Sequence, residues 1–318
     1  MLMLASAFHY GTVVFTVVLN GLGVALGQGR IGSASLRAGS IQPAALPDIS
    51  RNTFIAFAFI ETSGLLALTI SIILMAKTDL MAANALYVCI SQLGILVCVG
   101  VVGLVVSLAS SIPASNALFA YARQPFFTNK IFLIMIITMS FLQTPIVFGV
   151  IIAFMVHGQA GLCSSVADGI RLAAAAACVG IGALGPTIGQ GLFAGSACRA
   201  VGVNRTAYKQ IFNFCVLGLP IIETPLLLAL LVSFLILGAE HDPIFLRIVA
   251  LACAAGVTAV GTLMPGISSG LISSAACTQI GLHPDRATSI MQTSLLAQIM
   301  LDTSAILAFV VGIILMAH

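Results

Sequence analysis

Ile60-Glu61-Thr62, Leu142-Gln143-Thr144, Ile222-Glu223-Thr224 and Leu301-Asp302-Thr303 follow one another at separations of 82, 80 and 79 residues, each inside an apolar stretch. The same three-residue pattern, aliphatic then polar then threonine, thus recurs four times at one period. That is the signature of a tandem repeat. It divides the chain into residues 1–80, 81–160, 161–240 and 241–318.

Working outward, each polar position sits in a run of about 20 mostly apolar residues, the length that crosses a hydrocarbon layer as a helix. Eight such runs are predicted, near 9–29, 52–75, 84–112, 129–156, 169–197, 209–238, 244–276 and 288–317. With 60% hydrophobic and 7% charged residues and a mean hydropathy of +1.18, the composition excludes a water-soluble fold. The apolar pattern is continuous rather than alternating, and lipid satisfies no backbone polar group, so the spans are helices. The fold class expected is an all-α membrane protein of eight transmembrane helices in four tandem hairpins. The eight cysteines show no CxxC or Cys/His spacing and read as small packing residues.

Charge is divided by side of the membrane. Arg30, Arg37, Arg51, Arg123, Lys130, Arg199, Arg205, Lys209 and Arg286 flank the turns inside hairpins, whereas Lys77, Arg171 and Arg247 flank the connections between them. The connections carry Asp79, Asp168, Glu240 and Asp242 instead. An excess of Lys and Arg marks the cytoplasmic side, so the hairpin turns are expected there. No arginine is expected at mid-membrane depth.

Eighteen residues before the polar position stands Pro43, Pro125 or Pro284, with Val203-Asn204-Arg205 in the third repeat. Proline lacks a donor and keeps the residue before it out of the helical region, which suits a turn. Thirty-three residues before the polar position stand Gln28, Ser110, Gln190 and Ser269, at nearly the same depth in an antiparallel hairpin. The first helix of each repeat carries glycines at small-residue spacing, including Gly21, Gly23, Gly27, Gly29, Gly185, Gly189, Gly191, Gly195, Gly256, Gly261, Gly266 and Gly270. Such spacing lets helix backbones approach closely in lipid.

An ionised carboxylate in lipid costs roughly 2.5–3.5 kcal/mol on insertion scales, so an intramembrane acid marks a functional site. Glu61, Glu223 and Asp302 are the acids; Gln143 cannot gain or lose a charge and marks a silent site. Each acid has hydroxyl or amide neighbours: Gln28 and Thr62 for Glu61, Gln190 and Thr224 for Glu223, and Ser269, Thr303 and Gln298 for Asp302. Gln298 lies one turn before Asp302 and is expected to stand in for the amide that Ser269 lacks. Na+ needs several oxygen ligands, and Gln28, Glu61, Thr62 and Gln190, Glu223, Thr224 offer such sets; a bare acid suits H+. A secondary transporter built from repeats is the alternative, but it calls for inverted repeats around one central site.

The glycine-rich first helix, the turn Ala122-Arg123-Gln124-Pro125 and the mid-membrane acid of the second helix together resemble the c subunit, or proteolipid, of rotary ATP synthases and ATPases. The resemblance covers the chain four times over. It implies a non-catalytic subunit of a homo-oligomeric c-ring in an energy-coupling membrane, such as the bacterial plasma membrane, moving Na+ or H+ without a cofactor. It implies that the stator's a subunit supplies an arginine and that central stalk subunits touch Arg123, Gln124 and Pro125 and also His283 and Asp285. Contact with membrane lipid is implied as well, and no nucleic acid.

Overall fold

In the computed structural model the described residues are 2–77, 84–239 and 245–317. Asp79, Glu240, His241, Asp242 and His318 lie outside them. Among the described residues the chain is helical apart from short turns and connections, with eight apolar helical spans running from Met3–Ile41 to Pro284–Ala317. The spans are 34 to 39 residues long, well beyond the apolar runs, because each helix continues to the hairpin turn.

Hairpin 1 consists of α1 (Leu2–Ile41) and α2 (Leu46–Lys77). Hairpin 2 joins α3 (Ala85–Ile95), a π-helical segment (Leu96–Val101) and α4 (Val102–Arg123) into its first span, and α5 (Thr128–Leu142) with α6 (Thr144–Ala160) into its second. Hairpin 3 pairs α7 (Val166–Gly182) and α8 (Leu184–Val203) with α9 (Tyr208–Gly238). Hairpin 4 is α10 (Phe245–Leu282) and α11 (Ala287–Ala317).

The turns are built alike. Gln42, Gln124, Asn204 and His283 leave the helix at φ −136°, −135°, −139° and −131°, and a single 3-10 turn comes next. Proline after the residue forces this in three repeats. The third has no proline; there the Asn204 carboxamide accepts from the Thr206 backbone N–H at 3.0 Å and holds the same turn. Two turn amides also tie neighbouring hairpins together. Gln124 donates to the Val201 and Gly202 carbonyls at 3.2 and 3.0 Å, and Asn204 to Gly281 at 3.0 Å.

The first spans pack on one another in the order 1-2-3-4, and the second spans lie outside this row. Glycine makes the inner contacts possible. A Cβ on Gly23 would stand 2.6 Å from the Leu104 Cα, and one on Gly191 would stand 2.9 Å from the Ala109 Cβ. Gly185 and Gly189 leave no room for a Cβ against Leu263 and Gly266. Gly21, Gly29 and Gly256 differ: nothing lies within 4 Å, because they sit on open faces of α1 and α10. The outer spans expose large apolar side chains, among them Leu65, Ile72, Leu231, Leu235, Leu307 and Ile314, as a lipid-facing surface requires.

Two apolar layers fill the interior. One, toward the turns, includes Ile31, Ile49, Tyr121, Met135, Phe193 and Phe214. The other, toward the far ends, includes Leu74, Val99, Ile152, Val179, Leu226 and Leu251. The turn-side layer stops at Ile60, Met139 and Ile222, and the far layer resumes at Ala67, Ile146 and Leu226. Glu61, Gln143 and Glu223 fall between them.

Candidate functional site

All four hairpins contribute buried groups to this polar layer, and their contacts run both within and across hairpins. Within hairpin 2, Gln143 donates to the Ser110 hydroxyl at 3.4 Å. The second span breaks at Gln143, where Pro145 comes two residues later, so the residue sits at a joint between α5 and α6. Pro220 and Pro225 flank Glu223 without breaking α9.

Glu223 is 7% exposed, and Gln190 of its own hairpin and Thr144 of hairpin 2 stand beside its carboxylate. Gln190 is fully buried and also donates to the Leu219 carbonyl at 3.5 Å. The Thr224 hydroxyl does not join this group. It donates to Asp302 of hairpin 4 at 2.9 Å, and it also hydrogen-bonds the Ile221 carbonyl. Thr224 therefore serves the acid of the next hairpin, and Thr144 stands beside the acid of the next hairpin in the same register.

Gln298 is fully buried one turn from Asp302, but its amide nitrogen turns back to the Ser294 carbonyl and hydroxyl, both at 3.2 Å. Its oxygen faces no donor, and neither does the Asp302 Oδ1. The Thr303 hydroxyl donates to Met300 at 2.6 Å on the exposed surface, and Ser269 is buried with its hydroxyl unpartnered.

Glu61 is different again. It is exposed, and neither Gln28 nor Thr62 hydrogen-bonds it; the Thr62 hydroxyl donates to the Ala58 carbonyl at 3.0 Å. Hairpin 1 lies at the end of the row, so one side of Glu61 faces no further hairpin.

The layer is marked by unpartnered acceptors. Among buried side-chain oxygens without a hydrogen-bond partner are those of Gln143, Gln190, Glu223, Gln298 and Asp302. Buried polar atoms are nearly always satisfied, so oxygens concentrated in this way fit a neutralising cation or proton as the missing partner. Among the described residues no group of three His, Cys, Asp or Glu side chains could hold a transition metal. The chemistry on offer is carboxylate, amide and hydroxyl oxygen, which suits a proton or a hard cation.

Several residues stand elsewhere than their sequence context suggests. His9 is buried and bonded to Gln92 at 2.9 Å. Arg171 is buried, donating to the Ile236 and Ala239 carbonyls at 3.1 and 2.6 Å, and so closes the far end of hairpin 3. Arg30 lies two residues past Gln28 on α1, eleven residues before the helix ends at Ile41, or ~16 Å along its axis. It is not at the turn. Sequence reasoning also missed Thr144, although its place in the repeated triplet was the available signal. A cluster unique to the first seam was missed as well. Asn20 donates to the Ser63 carbonyl at 3.0 Å, and the Ser63 and Ser107 hydroxyls meet at 2.7 Å, all fully buried.

Arg123, Gln124 and Pro125 line an open pocket between the turns of hairpins 2 and 3, together with Asn204 and Arg205.

These features define a class: a polytopic membrane protein of parallel helical hairpins with one polar layer of carboxylates between two apolar ones. Comparison with known sequences gives the family. The sequence model of the ATP synthase C subunit matches residues 12–74, 93–156 and 173–236, which are hairpins 1 to 3, and the chain belongs to that family. Hairpin 4 shares their turn, their register and their packing. The chain is 44% identical over 57 residues to the ATP synthase c subunit of Mesomycoplasma hyopneumoniae, covering 18% of this chain and 56% of that protein. It is 32% identical over 69 residues to the ATP synthase c subunit of Chloroflexus aurantiacus (22% and 91%) and 37% identical over 71 residues to that of Dehalococcoides mccartyi (22% and 93%). The chain thus spans little more than half the length of the Mesomycoplasma protein, and nearly all of the other two.

Proposed function

We propose that this chain is a non-catalytic, ion-carrying rotor subunit of a membrane ATP synthase or ATPase, with three working sites on four hairpins. The observation that carries the reading is the layer of carboxylates between neighbouring hairpins, in which one buried oxygen each of Glu223 and Asp302 lacks a donor. A carboxylate cannot cross lipid ionised, so Glu61, Glu223 and Asp302 each travel neutralised and release their ion where water and a fixed positive charge meet them. That charge is an arginine of the stator's a subunit. Gln143 carries nothing, yet hairpin 2 still supplies Thr144 to Glu223.

The open faces of α1 and α10 match the ends of a repeating row, and identical head-to-tail seams close into a ring. Closure sets hairpin 4 of one chain beside hairpin 1 of the next, where Thr303 meets Glu61 as Thr224 meets Asp302. The turns face the cytoplasm and, with Arg123, Gln124 and Pro125, meet the central stalk; ATP chemistry belongs to partner subunits.

The ion read from the Glu223 site is Na+, because a buried carboxylate, amide and hydroxyl converge there. H+ is the second reading, favoured by Glu61, which lacks that set. The test is carbodiimide labelling of the acids with and without Na+ at near-neutral pH. Protection of Glu223 by Na+ is expected; equal labelling with and without Na+ leaves H+ as the cargo. No labelling of any of the three acids would overturn the rotor reading itself.

A further inference from the structure

The row of first spans has a second side, facing away from the outer helices, and it carries a basic pocket outside the carboxylate layer. Arg30, Ser33 and Arg37 of α1 and Ser111, Ser115 and Asn116 of α4 line a groove of about 270 Å³, with Ile112 and Phe119 as its apolar wall. No residue of a second span takes part. Arg30 and Arg37 are two turns apart on one face. Neither makes a hydrogen bond or ion pair with another described side chain; the ion pair of Arg51 with Asp48, at 3.3 Å, leaves both aside.

Two guanidinium groups side by side attract an anion, and none of the described acids pairs with them: Asp48 and Asp285 lie at turns, Asp168 caps α7, and the other three form the carboxylate layer. The Ser115 hydroxyl and the Asn116 amide add neutral donors, whereas the Ser33 and Ser111 hydroxyls donate to the Arg30 and Leu108 carbonyls. That set matches a tetrahedral phosphate, which guanidinium groups bind through paired hydrogen bonds. Toward the far side of the membrane the face becomes apolar and exposed through Val18, Leu22 and Leu26, as acyl chains require.

We propose that this pocket binds the phosphate of an anionic phospholipid, one per chain, on the inner side of the row. The other repeats do not duplicate it. At the position of Arg30 they carry Ile112, Leu192 and Leu271; at that of Arg37 they carry Phe119, Arg199 and Thr278. A single arginine, Arg199, lines the smaller groove between hairpins 3 and 4. The lipid therefore marks hairpin 1 within an otherwise repetitive row. The pocket lies within one chain, so its occupancy does not depend on the rotor reading.

The test is native mass spectrometry of the full chain purified in detergent after reconstitution with phosphatidylglycerol, with phosphatidylcholine, or with inorganic phosphate alone. The wild-type chain is expected to retain one phosphatidylglycerol and no phosphatidylcholine. The double variant Arg30→Gln/Arg37→Gln is expected to retain none, while Arg199→Gln keeps the wild-type count. Should the double variant fail to assemble, Arg37→Gln alone is expected to lose most of the bound lipid. An unchanged lipid count in these variants, or equal retention of phosphatidylcholine, overturns the proposal. Adducts of inorganic phosphate that exclude phosphatidylglycerol would assign the pocket to a soluble anion and overturn the lipid reading as well.

Discussion

The Thr224 hydroxyl donates to the Asp302 carboxylate at 2.9 Å, across the boundary between hairpins 3 and 4, so the residue next to one acid serves the next. Thr144 stands beside Glu223 across the boundary between hairpins 2 and 3. The Asp302 site therefore belongs to a seam rather than to one hairpin. Thr224→Val keeps the shape and removes the donor. A hydrogen bond to a charged group contributes about 1.5 kcal/mol or more when well formed, and this one is partly exposed, so about 1 kcal/mol is expected. Site-resolved carbodiimide labelling should show the Na+ concentration that protects Asp302 rising by about fivefold, with Glu223 unchanged. A shift at Glu223 instead would return Thr224 to its own hairpin.

Gln143 occupies an acid's position, bonded to Ser110 at 3.4 Å, with its own oxygen unpartnered. The cavity is thus already polar. Gln143→Glu replaces one amide with a group of the same size, and labelling is expected to rise from three to four carboxylates per chain, counted by intact-mass measurement. A count that stays at three would mean that the break between α5 and α6 misplaces the side chain, and that hairpin 2 is silent through geometry as well as through chemistry.

The repeat and its direct consequences were legible in the sequence. The triplets around Glu61, Gln143, Glu223 and Asp302 predict four hairpins, and the prolines predict their turns. The glycines of the first spans predict close packing, which Gly185, Gly189 and Gly266 show. Partnership across seams was not legible, because Thr144 and Glu223 are 79 residues apart and meet only once neighbouring hairpins are set side by side. The direction of the Gln298 amide was hidden for a similar reason. Helical spacing places it on the face of Asp302, but Ser294 one turn earlier competes for its N–H groups and takes them. Arg30 looked like a charge near a turn because the apolar run ends before it, whereas the helix itself runs on to Ile41.

The inner row can be tested at Gly189, which faces Gly266 and Gly270 with no space for a side chain. The obstructing atoms are backbone and cannot rotate away. Gly189→Val forces α8 and α10 apart and should cost about 1–3 kcal/mol or more, the range for overpacking. Gly256→Ala meets nothing within 4 Å and should be neutral in the isolated chain. Thermal unfolding in detergent, followed by loss of helical signal, compares the two; equal melting points would mean that the glycine contacts do not hold hairpins 3 and 4 together.

Glu61 supplies the remaining test, because it is exposed at the open end of the row and its own Thr62 hydroxyl is committed to Ala58. The seam between hairpins 3 and 4 sets the rule that a threonine of the preceding hairpin reaches the acid, and Thr144 beside Glu223 keeps the same register. Applied at the chain ends, it gives Glu61 to Thr303 of the neighbouring chain. Within one chain the Thr303 hydroxyl turns instead to Met300 on the exposed surface. Thr303→Val should therefore alter Glu61, 242 residues away in the same chain, and leave the adjacent Asp302 untouched. The expected change is again about fivefold in the Na+ concentration that protects Glu61, on the same hydrogen-bond energetics. It should vanish in detergent-dissociated monomers, where no second chain is present. An effect confined to Asp302, or one that persists in monomers, would show that Glu61 works without a neighbour and that the ring seam is arranged differently from the seams inside the chain.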